Sequence, residues 1–273
     1  MDENFAYDEN QRKVLELFET AEVRSALEEF AQAHKELHRL WRFDSEHIIP
    51  KLGPLFASES GKELAALILR THSNIESLLS FDQVRHFQAV AILTRTILEL
   101  GIDVRLSRGF QDFADRMSCF SELEHLRVTR RLIRIATEQN LLDTPEIKMM
   151  TNAMHNSKDE ILAKAARLWP KFPDPFKLKH WSGMNLERRA LLAGLPFNKI
   201  YTLSHIQMSW WNHGGTTGIF ELTPSTLAND CTRNFSAATE LYKTVLQDSI
   251  HTLALPKNYP ELANQFAELC GDS

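Results

Sequence analysis

Glycine and proline are scarce, at 10 of each in 273 residues, and little period-two alternation of apolar and polar residues appears between them. Both absences argue against a β-sheet architecture and for helices. Cysteine is scarcer still. Cys119, Cys231 and Cys270 are odd in number, far apart and in no ligand-like spacing, so they read as free thiols in a reducing compartment. No apolar run reaches membrane length, and the acidic start Met1-Asp-Glu-Asn4 lacks the basic and apolar regions of a signal peptide. A cytoplasmic location without a membrane partner is therefore expected. An excess of positive charge is missing too: the net charge is −5 and the pI near 6.1. Any contact with RNA or DNA must then rest on a local patch. What is present is ordinary for a globular chain with a real core, 43% hydrophobic and 25% charged residues.

Apolar spacing predicts a long first helix over about 8–43, with Val14, Leu17, Phe18, Leu27, Phe30, Leu37, Leu40 and Trp41 recurring at threes and fours. Further helices are expected at about 60–80, 83–108, 119–140 and 145–168. Three prolines in six residues then make 169–183 a connection. A short helix, a helix through about 201–213, a long one from Pro224 to about 255 and a short closing one near 260–270 complete the chain. The part after the connection has too few helices for a generous core of its own. Its two long helices are expected to complete a bundle begun by residues 60–168, giving one all-α domain over 1–273, an elaborated up-and-down helical bundle.

Two stretches carry polar groups that a packing helix does not need. In Tyr201-Thr-Leu-Ser-His-Ile-Gln-Met-Ser-Trp-Trp-Asn-His-Gly-Gly215, His205, Ser209 and His213 stand four apart on one helix face. Gly214 suits the position just past a helix end. A histidine in the last turn, favoured as imidazolium by the helix dipole, is a candidate acid–base group; a capped helix end with a buried histidine is the plainer alternative. In the second stretch, Ala89 to Asp103, the helix is apolar nearly all round, yet Arg95, Glu99 and Asp103 run down one face. Charges buried there need partners or a cleft, and a structural ion pair and a functional site both satisfy that need.

Other groups read as structural. His34 and His38 have a chelating spacing, but His34 lies on the packing stripe and is expected to be a satisfied core histidine. A metal site built from His34, His38, His205 and His213 is a distant possibility. Arg127, Arg130, Arg131 and Arg134 form a basic stripe able to grip phosphates, with Glu122, Glu124 and Glu138 close enough to balance it.

Three motifs together resemble a known family. They are Arg-x3-Glu (Arg95, Glu99), Trp-Ser-Gly (Trp181, Ser182, Gly183), and Tyr-x2-Ser followed by Ser-x3-His-Gly (Tyr201, Ser204, Ser209, His213, Gly214). Over about residues 60–255 the set resembles an uncharacterised family of bacterial all-helical proteins, a domain of unknown function, loosely associated with the HEPN superfamily. That resemblance implies a HEPN-like bundle, a homodimer, and a metal-independent ribonuclease or phosphodiesterase of toxin or phage-defence pathways, with RNA or a nucleotide as partner and no cofactor. The HEPN ribonucleases carry Arg-x4–6-His. Here Ile206, Gln207 and Met208 stand where that arginine would be, so Arg95 is the candidate replacement. Under this reading His213, Arg95, Glu99 and Ser209 are catalytic. Tyr201, Asp103, His205, Asn212 and Arg127, Arg130, Arg131 and Arg134 would bind substrate. The lack of an Arg-x4–6-His at His213, with the match from Arg42 to His47 read as a coincidence at a helix end before Pro50, and the acidic pI point instead to a non-catalytic module that binds a nucleotide, a small ligand or a partner protein.

Overall fold

Prolines and caps set where the helices start. Pro145, Pro224 and Pro260 each occupy a first turn, where the missing N–H has no helical partner to lose. Thr20, Ser58 and Asn185 cap three others and Thr223 caps the helix that Pro224 begins, each side-chain oxygen accepting the backbone N–H three residues on. A computed structural model describes residues 20–141, 144–212, 223–253, 257 and 259–271, and of residues 205–212 only the backbone. Among the described residues there are nine α-helices and no strand. They are α1 (Ala21–Phe43), α2 (Glu59–Leu79), α3 (Phe87–Ser107), α4 (Phe113–Glu138), α5 (Pro145–Leu168), α6 (Leu186–Ala193), α7 (Phe197–Asn212), α8 (Pro224–Thr252) and α9 (Pro260–Cys270). The chain is an all-α helical bundle. No described helix is long and apolar enough to cross a membrane.

Most boundaries fall within a few residues of those expected from the sequence. Two starts differ: the first helix begins at Ala21, where Thr20 in extended backbone caps it, instead of about residue 8, residues 1–19 lying outside the described ones, and α4 begins at Phe113 instead of about 119. Phe113 is buried edge-on against Trp181, and Arg116 reaches back to Asp112 at 2.7 Å, so tertiary packing and an ion pair extend the helix by more than a turn.

Helix α3 is the centre of the bundle, with α2, α6, α7 and α8 packed around it. Its all-round apolar sequence follows from this: Val90, Ala91, Ile97, Leu98, Leu100, Ile102 and Val104 are all buried. Gly101 lets α7 approach, because a Cβ there would lie 2.8 Å from the Phe197 ring and 3.2 Å from Val245. Helix α1 lies along α8. Leu37, Ile75, Ile97, Phe197, Phe235, Leu241 and Phe266 belong to one apolar cluster, so helices before and after the proline-rich connection share a core. A second, smaller cluster joins Cys119 and Leu123 of α4 to Ala165, Leu168, Trp169 and Leu178.

Where α1 ends, Asp44–Ile48 form a π-helical turn. Asp44 is fully buried there, and its Oδ2 accepts hydrogen bonds from Tyr242 on α8 and from His72 Nδ1 on α2, the latter at 2.8 Å. Three elements are thus tied through one carboxylate.

Candidate functional site

Helices α2, α3 and α4 each turn one stripe, spaced by three, four and seven residues, toward a common cleft of ≈ 650 Å³. From α2 come Glu63, Ala66, Leu67 and Arg70; from α3, Ile92, Arg95, Thr96, Glu99, Leu100 and Asp103; from α4, Met117, Phe120, Ser121, Glu124 and His125. His180 and Trp181 close one end. The Arg95–Glu99–Asp103 face singled out in the sequence is therefore a cleft wall, and it is also an ion-pair network. The ion pairs that buried charges require are present, and the same residues line a cleft.

The network fixes the wall from behind. Arg95 Nε donates to Glu99 Oε1 at 3.2 Å. Arg189 of α6, whose side chain is only 5% exposed, donates through Nη1 to Asp103 Oδ1 at 3.0 Å and holds Nη2 3.7 Å from Glu99 Oε2. His180 Nε2 donates to Asp103 Oδ2 at 3.1 Å. Its Nδ1 accepts from the Ser182 hydroxyl at 2.9 Å and from the Ser182 backbone N–H at 3.2 Å. This set of partners assigns the Nε2–H tautomer, so Arg189 Nη1, 2.8 Å from His180 Nε2, directs its hydrogens to Asp103. Burying these charges is tolerable because each meets an opposite charge with hydrogen-bonding geometry.

Ser182, His180 and Asp103 form a chain of hydrogen bonds that superficially matches a nucleophile–base–acid relay. The Ser182 hydroxyl is buried and also accepts the Met184 N–H at 3.2 Å, so it acts as a turn-forming group. The Trp-Ser-Gly motif is this turn. Trp181 is buried edge-on between Phe110 and Phe113, and its carbonyl accepts from Trp169 Nε1 at 2.9 Å. Gly183 has φ +73°, and a Cβ there would touch Trp169 and Phe172 at 3.3 Å, which makes glycine the natural occupant.

Around the mouth of the cleft the charges are treated differently. Glu63, Arg70 and His125 line it without an ion pair or side-chain hydrogen bond among the described residues. Burial and the nearby Glu59 charge push the Glu63 carboxyl above its ordinary range.

The other candidate residues are placed as follows. Arg127 Nη2 donates to the carbonyls of Pro175, at 3.0 Å, and Leu178, while Nη1 pairs with Glu124. That arginine straps the proline-rich connection to α4. Arg130 lies over the Phe176 ring at 4.5 Å, and Arg134 is 3.9 Å from Glu138, while Arg131 is exposed. His34 Nε2 donates to the Leu79 carbonyl at 2.9 Å beneath Phe30 and Phe235, as a satisfied core histidine does. Tyr201 packs against the main core. His213 lies outside the described residues, as do the side chains of His205, Ser209 and Asn212.

Sequence reasoning missed His180, Arg189, Glu63, Arg70 and His125. One signal was available: buried carboxylates at 99 and 103 demand a cation, and Arg188-Arg189 follows the Trp-Ser-Gly turn closely. No protein-family model, no curated protein and no solved structure matches this chain.

Proposed function

We propose that the chain is a helical ligand-binding module and that the cleft between α2, α3 and α4 is its recognition site. The observation that supports this is the division of charge within the cleft. The wall groups Arg95, Glu99, Asp103 and His180 are already locked to one another and to Arg189 behind them, so the wall is pre-organised and a ligand need not order it. The rim groups Glu63, Arg70 and His125 are available. Phe120, Met117, Leu100 and Trp181 provide apolar surface between them. A concave site of this size with a few converging polar groups is the usual form of a small-molecule pocket.

The test is to fill the cleft. Ala66 is exposed and lines it, so Ala66→Trp blocks the site without disturbing the core. Ligand classes are screened by methyl NMR, using Met117 as the cleft reporter and Met150 and Met154, which line a separate groove between α4 and α5, as internal controls. A ligand that shifts Met117 in the parent and not in Ala66→Trp supports the reading. Ligands that bind both proteins alike overturn it.

A second reading is a metal-independent ribonuclease, favoured by one observation: Arg95, held by Glu99, shares its cleft with two histidines, His125 and His180. In that reading an arginine stabilises a charged phosphorane while a histidine moves the proton of a ribose hydroxyl. His213 is the histidine that the family resemblance nominates. Incubation of total RNA in EDTA, beside Arg95→Ala and His213→Ala, decides it. Cleavage by the parent alone assigns both residues, and intact RNA in every lane removes the reading.

A further inference from the structure

We propose that the ligand of this cleft is a short extended zwitterion of di- or tripeptide type, its ammonium end at Glu63 and its carboxylate end at Arg70. This rests on the cleft being the recognition site. Glu63 and Arg70 stand seven residues apart, two helical turns, on the same face of α2. Their backbones are about 10 Å apart along the helix axis, close to the length of an extended tripeptide at ~3.3–3.6 Å per residue.

Between the two charges the α2 face is apolar, Ala66 and Leu67 occupying the intervening turn, while the α3 wall carries Leu100 beside Thr96 and the already paired Arg95 and Glu99. The sequence on this face thus reads anion, apolar, cation, the complement of a chain with a charged group at each end and an aliphatic middle. Glu63 and Arg70 are too far apart to neutralise each other, and neither has another ion-pair partner among the described residues.

Ligands of one sign fit less well. The carboxylates Glu99, Asp103 and Glu124 already hold Arg95, Arg189, His180 and Arg127, so a simple cation finds Glu63 as the carboxylate still unpaired among the described residues and leaves Arg70 covered without a partner. A simple anion has the opposite problem with Glu63. Covering a charge without pairing it is unfavourable, which makes the two-ended ligand the one that satisfies both groups.

The probe is glycyl-leucyl-glycine, titrated against the full chain with the Met117 methyl as readout. Its N-acetyl form, its C-terminal amide, cadaverine and glutarate are run in parallel. Each end makes one charge-assisted contact, so acetylation or amidation weakens binding about tenfold or more. Glu63→Gln abolishes the difference between the free and acetylated peptide while leaving the effect of amidation. Arg70→Gln does the reverse. Both residues have solvent access and lie outside the core, so circular dichroism and melting of the variants match the parent. Capped peptides that bind as well as the free one, or cadaverine or glutarate shifting Met117 at lower concentration, overturn the zwitterion and leave the cleft standing. If no probe moves Met117, the zwitterion is wrong, and the Ala66→Trp comparison decides the cleft separately.

Discussion

The pairing of Asp103 with Arg189 makes the sharpest energetic prediction. The Asp103 side chain is 12% exposed and that of Arg189 5%, so solvent screens the pair weakly. Asp103→Ala leaves a buried guanidinium whose nearest carboxylate oxygen is Glu99 Oε2 at 3.7 Å, and removing one partner of a buried pair costs about 3–5 kcal/mol. Arg189→Met keeps much of the volume and leaves Asp103 with the imidazole of His180, so the loss is about 1–3 kcal/mol, that of a charge-assisted hydrogen bond. If the two changes were independent, the double variant would lose their sum. It should instead be no worse than Asp103→Ala alone, because no uncompensated cation remains, giving a coupling of about 2 kcal/mol. Thermal and urea unfolding followed by far-ultraviolet circular dichroism measures all four proteins. At roughly 2–4 °C per kcal/mol for a chain near this length, Asp103→Ala should melt about 10 °C below the parent. A melting point within about 2 °C of the parent, or losses that simply add, would refute the reasoning.

Three further outcomes are expected. Gly101→Ala should destabilise by about 1–3 kcal/mol in urea unfolding, although alanine is the better helix former by about 1 kcal/mol, because its methyl meets the Phe197 ring; a stabilised variant would mean that α7 yields easily. Burial pushes the Cys119 and Cys231 thiols up to about 11 and about 12 from an ordinary value of 9.0. Their contribution to stability is complete below pH 9 and is lost as pH rises towards those values. Urea midpoints should therefore fall at alkaline pH, less so in Cys119→Ala, and a thiol reagent should label neither cysteine in the folded protein. Finally, Arg127 of the basic stripe is engaged with two carbonyls and Glu124, while Arg134 makes a solvent-exposed pair with Glu138 that yields readily. With three arginines left, the slope of log affinity for single-stranded RNA against log salt should be no steeper than about −2, and a much steeper one would mean that the strap opens to bind phosphates.

The helices were legible because their signals are local. Pro145, Pro224 and Pro260 mark starts wherever they fall, and the charged stripe of α3 shows in spacing alone. The partners of that stripe were not legible. Arg189 and His180 meet Asp103 across 86 and 77 residues of chain, and no periodicity spans such a separation. The same holds for Asp44, whose burial depends on a π-helical turn that apolar spacing does not announce, with Tyr242 and His72 arriving from α8 and α2. The basic stripe misleads for a related reason. Four arginines at helical spacing look alike, but what the proline-rich connection brings to Arg127 and Arg130 is visible only once the chain has folded over α4.

The smaller apolar cluster between α4 and α5 is set apart from the main one, so the two should open at different free energies. Helix α4 owes much of its burial to this minor core, while α2 and α3 belong to the major one. The cleft therefore has two walls anchored in the larger cluster and one, α4, held there by its first turns and in the smaller cluster beyond them. Sub-global opening of α4 with α5 exposes the cleft at a free energy below that of complete unfolding. A ligand held between the walls binds that open form poorly and so suppresses its exchange. Amide protons of α4 and α5 then become a gauge of occupancy, slowing on binding more than those of α8, even where the ligand touches only the rim.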